Sequence, residues 1–519
     1  MTRSGALEEL AGRTFDLLVV GGGIVGAGIA AEGARAGLRV ALVDRGDFGG
    51  ATSSASSKLI HGGLRYLRLG DVGLVREAHR ERRALLRVVA PHLVRRLPFL
   101  LPLYRGGPYR PAVVQAGLWL YSTLARERLG GLAAPERARR SVPDLRVEGL
   151  SGCGVYADAW THDGRLCLAN VRAAADLGAT VLNYAEATEL RLVGGRVAGA
   201  EVRDRLGGEA VAVQARAVVN ATGPWLERLR RLEDPAAAPY GQLSKGVHLL
   251  LRLERPWSAA LAIPHDAARV TFAYPWEGML LLGTTDDPYD GEPDALEVTG
   301  AEVERVLAEA SVAVDPELLR PERVAASFAG LRVLPASAAG PLAARRETAF
   351  LVGRGGMLTV AGGKLTTYRR IAHAALGRLR PALGLHALDR APAPLPGAAD
   401  LEAAAARLAR HPAGLDAAVR VNLAHLYGGL AAEVLAVAQE GPALLERLHP
   451  AAPDIGAQVV YAARREWATG ADDVLRRRTS LWARGLATPE VTAAVERLLA
   501  AGRGARLTQS ASPSPPSSG

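Results

Sequence analysis

One stretch constrains the fold of this chain more than any other. Residues 14–44 run through FDLLVV, then Gly21-x-Gly23-x-x-Gly26, then AGIAAEGARAG to Gly37, then RVALVD ending in Asp44. The pattern predicts a buried parallel strand, a tight turn, a helix and a second strand. Gly21 allows the turn, Gly23 lets the backbone approach a pyrophosphate, and Gly26 lets helix and strand pack closely. The N–H groups at the start of the helix then face the anion. Asp44, about twenty residues on, is placed to accept hydrogen bonds from ribose hydroxyls. An α/β lobe that holds a dinucleotide follows.

Two further strands end in glycine turns, ARAVVNATGPW (215–225) and GMLTVAGGKLTTYRRIAHAAL (356–376). A nicotinamide dinucleotide needs one such turn near its pyrophosphate. Three turns at distant points suggest a longer cofactor lying across a whole sheet edge, and flavin adenine dinucleotide (FAD) fits that description.

Composition excludes several classes. At 519 residues, 49% hydrophobic and 22% charged, the chain has room for two or three domains with a large core. Cys153 and Cys167 cannot build a disulfide framework and lack CxxC spacing, so a reducing compartment and buried packing are expected. No metal site is predicted. The net charge of +10 suits an anionic partner such as nucleic acid, a phosphorylated metabolite or an anionic membrane surface. The arginines are scattered, however, and no basic stretch carries interleaved aromatics, so nucleic acid is not expected. The runs RERR (80–83) and RRR (476–478) sit in helical sequence and read as solvated faces. No window of about eighteen continuous apolar residues occurs, so no spanning helix is predicted.

Only three of the 63 basic residues are lysines: Lys58, Lys245 and Lys364. Each lies in a turn or strand motif, SSKLIHGG, LSKGVHLLL or AGGKLTTY, rather than on an arginine-rich helix. A lysine kept in so arginine-biased a chain marks a place where a compact charge is needed and a planar guanidinium is not. At least two of the three are expected in the site.

The motifs GGGIVGAGIA, ATSSASSKLIHGGLRYL, VNATGPW, GTTD (283–286) and AGGKLTTYR (361–369) together resemble those of the FAD-dependent glycerol-3-phosphate dehydrogenases, the membrane-associated respiratory enzymes. The resemblance spans about residues 14–500, including REWATGADDVLRRRT (465–479). It implies hydride transfer from C2 of sn-glycerol 3-phosphate to flavin N5, giving dihydroxyacetone phosphate, with electrons leaving to a membrane quinone. An oxidase using oxygen is the nearest alternative. Relatives of that kind often carry an insertion before the last FAD segment, and this chain has no spare length there. A flavin amine or amino-acid oxidase would need a carboxylate clamp rather than converging cations, and a non-catalytic flavin sensor would show no turnover.

The substrate phosphate calls for cations, and Arg65, Arg332, Arg345 and Lys364 are the candidates, each at or beside a motif. Where the family offers an arginine followed by an acid, this chain has ARRETAF (344–350), so Arg345 competes with Arg346. Lys245 and Tyr66 are added as substrate contacts. In LSKGVHLLLR (243–252), strand periodicity puts Gly246, His248 and Leu250 on one face. The resemblance sets that strand over the flavin, so His248 is the leading base, with its pKa near the working range, and His61 the rival. Arg332 and Lys364 complete the catalytic set, Arg332 being able to polarise the oxygen. Ser53 and Ser54 supply short donors near the phosphates. Lys58, Leu59, His61, Gly62, Gly63, Thr222, Gly223, Gly362, Gly363, Leu365 and Thr366 are expected along the cofactor.

The expected architecture is a Rossmann-like FAD lobe (14–85, 150–235, 335–385) with an inserted antiparallel-sheet substrate lobe (86–149, 236–334), together spanning 14–389. A Pro-rich linker (390–400), an all-helical C-terminal domain (401–502) and a low-complexity tail (503–519) follow. The segment 92–128 mixes apolar residues, Trp119, Tyr121 and arginines around three central prolines. It fits either a surface-embedded element or a buried wall of the substrate lobe. Peripheral attachment at the cytoplasmic face of the cell membrane, or a cytoplasmic location, and a homodimer are compatible with this sequence.

Overall fold

The computed structural model describes residues 2–64, 67, 70–127, 130–266, 269–335, 348–411 and 414–509. Thr14–Val20, buried from Phe15 onward, pairs in parallel with Ala210–Asn220 on one side and Val40–Val43 on the other. Leu358–Ala361 and Thr180–Leu182 extend the parallel order, and Ala349–Val352 closes one edge antiparallel. These strands are continuously apolar because both faces are covered. Helices Ile24–Arg35, Asp163–Asp176 and Tyr368–Leu383 pack on one face. The other face takes the hairpin Ala185–Val193/Arg196–Asp204 and an N-terminal helix, Arg3–Gly12, whose Ala6, Leu7 and Leu10 are buried there.

Among the described residues the second sheet has ten strands. Near one edge, Gly241–Arg252 runs antiparallel to both Met279–Gly283 and Val324–Pro335. Here the lobe boundaries differ from those expected. Leu150–Thr161 belongs to this sheet rather than to the flavin lobe, pairing with Val94–Tyr104 from Val94–Thr161 to Tyr104–Leu150. Leu59–Ile60 joins the same sheet through Trp160 and Ala159. Because Val94–Tyr104 is an inner strand, most of its apolar residues are buried wall, whereas the loop 105–110 and the outer side of helix Pro111–Ala125 lie at the surface. Trp119 is exposed on that helix, whereas Tyr121 is buried and donates to the Asp158 carboxylate at 3.0 Å.

Beyond residue 400 the chain is helical, with Ala417–Tyr427, Ala431–Ala438, Gly456–Arg465 and Ala471–Arg477 packed in two cores. The last helix, Pro489–Gln509, runs past the expected domain end at 502; residues 510–519 of the expected tail lie outside the described residues. Among the described residues one stretch, Ala417–Ala438, has the length and apolarity to cross a membrane, and most of it is buried in this domain.

Two arginine runs expected on solvated faces hold buried members. Arg82 is fully buried and donates to Asp158 and Glu127. Arg477 and Arg478 are buried against Asp47. Their partners are far away in sequence, so helical spacing alone could not reveal them.

Candidate functional site

The first glycine turn is held by backbone crowding and one carboxylate. Gly21 sits at φ +106°, where an added Cβ would press on the Ala221 carbonyl at 2.5 Å. A Cβ on Gly26 would overlap the Gly21 carbonyl, so strand and helix approach only through glycine. Asp44 accepts from the N–H of Gly22 at 2.6 Å and of Gly46 at 2.8 Å. Burial pushes its carboxyl up to about 6, against the pull of those two donors. Ser53 Oγ accepts from Ile24 N at 2.8 Å, capping a helix whose own cap residue, Gly23, has no side chain to offer.

The other two turns meet the first. The Asn220 side chain accepts from the Thr222 hydroxyl at 2.7 Å and from its N–H, shaping the turn before Gly223. Thr366 Oγ1 accepts from His61 N at 3.2 Å, which joins the 362–366 turn to the His61-Gly62-Gly63 turn. All of them border one cavity of about 720 Å³, within the range of about 300–1,000 Å³ usual for ligand sites. Two of its lining residues carry buried donors without a hydrogen-bond partner among the described residues, Trp225 Nε1 and Arg45 Nη1. Backbone turns open to close approach, a helix N-terminus and unused N–H donors fit an extended, oxygen-rich dinucleotide.

Gly21, Gly23, Asp44, Ser53, Lys58, Leu59 and His61 line this cavity. So do Thr222 and Gly223, and so do Arg332, Gly362, Gly363, Lys364, Leu365 and Thr366. Ser54 does not: the short helical turn Thr52–Ser54 directs its hydroxyl back to the Ala51 carbonyl. Gly62 and Gly63 also stand off the cavity wall, against expectation. Gly62 is packed from below, where a Cβ would overlap the His79 ring and touch the Tyr121 hydroxyl at 2.5 Å, and its N–H is taken by Asp158 at 3.0 Å. Arg65, Tyr66 and Arg345 lie outside the described residues.

The three lysines divide two to one. Lys58 and Lys364 line the cavity, whereas Lys245 corrects its sequence assignment. Strand alternation turns Lys245 to the opposite face from Gly246 and His248, where its ammonium meets Glu302 at 2.8 Å and the Glu297 carbonyl at 2.5 Å. Lys58 adopts φ +51° and is 4% exposed. Its Nζ donates to Asp163 and to the Ser54 carbonyl, both at 2.7 Å, and sits about 5 Å from the rings of Trp276 and Phe328. Asp163, fully buried, also accepts from the Ser56 hydroxyl at 2.7 Å.

His248 shares a face with Gly246, but lies deeper than its assignment requires. It is 1% exposed, stacked on Phe328, and absent from the cavity wall. Burial first, then Arg332 and Lys58, push its imidazole well below the ordinary histidine range rather than near the working range. Its Nε2 lies 2.9 Å from the Oγ of Ser57, which does line the cavity. Arg332 does line the wall, with its guanidinium fixed by Thr284 Oγ1 at 2.9 Å and the Thr285 carbonyl at 3.2 Å. A Cβ on Gly246 would overlap that guanidinium, so this glycine makes its room. Sequence reasoning missed Ser57, Asp163, Trp225 and Arg45. Ser57 stood inside the quoted serine motif, but nothing local marked Asp163.

Residues 16–369 match the FAD dependent oxidoreductase family, and residues 391–504 match the C-terminal domain of alpha-glycerophosphate oxidase. Glycerol-3-phosphate dehydrogenase 2 of Mycobacterium tuberculosis is 35% identical over 491 residues, covering 92% of this chain and 82% of its own length. The mitochondrial glycerol-3-phosphate dehydrogenase of Macaca fascicularis is 34% identical, covering 90% of this chain and 67% of its own. The solved structure of the glycerol-3-phosphate dehydrogenase from Bacillus halodurans, complexed with FAD, superposes with a TM-score of 0.78 at 30% identity, over 96% of this chain and 92% of that one. The L-alpha-glycerophosphate oxidase of Mycoplasma pneumoniae shares the fold at TM-score 0.56 and 17% identity, over 74% of this chain and 99% of that one.

Breaking the Lys58–Asp163 pair leaves a buried carboxylate without its cation, which costs about 3–5 kcal/mol. Lys58→Met is therefore expected to lower unfolding stability by that amount in chemical denaturation. Lys58→Arg should restore it only in part, because a planar fork must take the place of a compact ammonium about 5 Å from both the Trp276 and the Phe328 ring.

Proposed function

Because the chain belongs to the FAD-dependent oxidoreductase family, among the glycerol-3-phosphate dehydrogenases, we propose that its cavity residues carry out the oxidation of glycerol 3-phosphate to dihydroxyacetone phosphate as follows. FAD, when bound, supplies the two-electron acceptor for the C2 hydrogen. Gly21, Gly23 and the N-terminus of Ile24–Arg35, with Ser53, hold its pyrophosphate, and Asp44 takes the adenosine ribose. The turns at 222–223 and 362–366 hold the remainder. Arg332, fixed in one orientation by Thr284 and Thr285, polarises the C2 oxygen, and Lys364 binds the phosphate. Of the two imidazoles, His61 lines the cavity and His248 is sealed behind Ser57, so His61 takes the hydroxyl proton. The observation that carries this function is that three glycine turns, Arg332 and Lys364 share one cavity.

The acceptor of the electrons is proposed to be a membrane quinone, reached at the cytoplasmic face of the cell membrane. Support comes from helix Pro111–Ala125. Val113, Trp119 and Leu120 are 64%, 52% and 40% exposed on its outer side, and the exposed Arg105, Arg110 and Arg126 flank it. An apolar stripe rimmed by arginine suits an anionic bilayer surface.

Three outcomes are expected. Glycerol 3-phosphate should bleach the flavin absorbance of the purified protein anaerobically, while glycerol and glycine should not. His61→Asn should slow that bleaching about 10²–10⁴-fold and His248→Asn much less; bleaching by glycine instead would point to an amino-acid oxidase. Reoxidation by quinone but not oxygen would separate dehydrogenase from oxidase.

The second concerns pH. Donation from ribose hydroxyls favours ionised Asp44, whose carboxyl is pushed up to about 6 by burial, with Asp47 adding to the rise and Arg45 opposing it. Protonation below that pH therefore opposes binding. The FAD dissociation constant should be flat above pH 6 and rise by up to about tenfold per unit below it. In Asp44→Asn the slope should vanish, as read by titration of the flavin-free chain.

The third concerns the membrane. Co-flotation with vesicles containing anionic phospholipid should fall at least about tenfold in Trp119→Ser/Leu120→Ser. A dimer that the same substitutions dissociate would assign the helix to a second copy instead.

A further inference from the structure

Gly470, Asp472, Asp473 and Arg477 come from the C-terminal helical domain, yet they line the same cavity as Asp44, Arg45 and Gly46. The contact is built, not incidental. Asp47, three residues beyond Asp44, is 5% exposed, and its carboxylate accepts from Arg477 Nε and Arg478 Nη1, both at 2.6 Å. Arg478 Nη2 reaches the second oxygen at 2.9 Å, and Asn183 Nδ2 reaches it at 3.1 Å. Arg477 also donates to Asp473, which accepts from the Tyr184 hydroxyl at 2.7 Å. Asp473 in turn caps Ala471–Arg477, accepting from the N–H of Thr469 at 2.8 Å and of Gly470 at 3.0 Å.

An apolar path runs beside the ionic one. Trp467 meets Phe48 edge-on at 5.6 Å between ring centroids. Phe48 fills the space where a Cβ on Gly22 would sit, and Gly49 N donates to the Gly22 carbonyl at 3.0 Å. The loop from Asp44 to Gly50 is thus gripped on its outer side by the helical domain and on its inner side by the first glycine turn. The N–H groups of Gly22 and Gly46 can be aimed by Asp44 only while that loop is held.

We propose that the C-terminal helical domain is the wall that retains the adenosine end of the cofactor, with Asp47, Arg477 and Arg478 as positioning residues that couple docking of this domain to cofactor binding. The proposal rests on the FAD reading above. Coupling of this kind is reciprocal: docking tightens the cofactor, and the cofactor holds the domain.

The test uses the full-length chain stripped of flavin and measures FAD affinity by fluorescence titration, with backbone hydrogen exchange in 471–477. In the wild type, FAD should slow exchange there at least about tenfold. Arg477→Met should raise the FAD dissociation constant at least about tenfold, and Arg477→Lys should recover part of the loss. Arg478 continues to neutralise Asp47 in these variants. Tyr184→Phe, which removes a single bond to Asp473, carries the test if Arg477→Met does not fold, with an increase of about threefold. Val495→Ala, in the core of the same domain, should lower the melting temperature and leave the dissociation constant unchanged. Dissociation constants within twofold of wild type in the folded variants, or exchange in 471–477 indifferent to FAD, would overturn the coupling alone. A wild-type chain that takes up no FAD would overturn both the coupling and the flavin reading.

Discussion

The structure turns on one buried ion pair. Lys58 and Asp163, both buried, bind each other at 2.7 Å beside the cavity, and each anchors a different part of the molecule. Asp163 opens helix Asp163–Asp176 of the first sheet's cover and holds the serine loop through Ser56. Lys58 reaches the same loop through the Ser54 carbonyl and lies between Trp276 and Phe328 of the second sheet. Two charges removed from solvent cost several kcal/mol each, a cost offset here by the pairing itself, by the Ser54 carbonyl and two aromatic rings on Lys58, and by Ser56 and the Gly164 N–H on Asp163. The cavity lies where these three parts converge.

What was legible in the sequence was what backbone geometry demands. Gly21, Gly23 and Gly26 could be read in advance because no side chain fits where strand, helix and ligand approach, and the same logic found the turns at 223 and 362–363. Period-two alternation put His248 on the face of Gly246, but depth is not periodic, and only the assembled sheets show that Ser57 stands between it and the cavity. Lys245 was misplaced because its own strand gives no sign of Glu302, 57 residues away. Arg477 and Arg478 looked like a solvated run because their counter-ion, Asp47, lies about 430 positions earlier.

The charge of +10 does not reveal where the basic residues work. Many of the arginines are spent inside the molecule, as with Arg82 on Asp158 and Glu127 and Arg165 on Glu466. The cations that line the cavity, among them Arg45, Lys58, Arg332, Lys364 and Arg477, are interleaved with acids such as Asp44, Asp47 and Asp473, so net charge says little about the site. Arginine suits such ties because its fork satisfies two acceptors in fixed directions, whereas a lysine surrounded by rings keeps its charge in a smaller space.

The pairing of Leu59–Ile60 with Trp160 and Ala159 continues into the bond from Thr161 N to the Lys58 carbonyl at 2.9 Å, and helix Asp163–Asp176 starts two residues later. The backbone that finishes the large sheet is therefore the backbone that begins a helix of the other layer. Such a seam ties the two lobes to each other through continuous, hydrogen-bonded backbone. Anything that shifts the end of the large sheet is therefore passed directly, through two residues of backbone, to a helix that covers the other sheet.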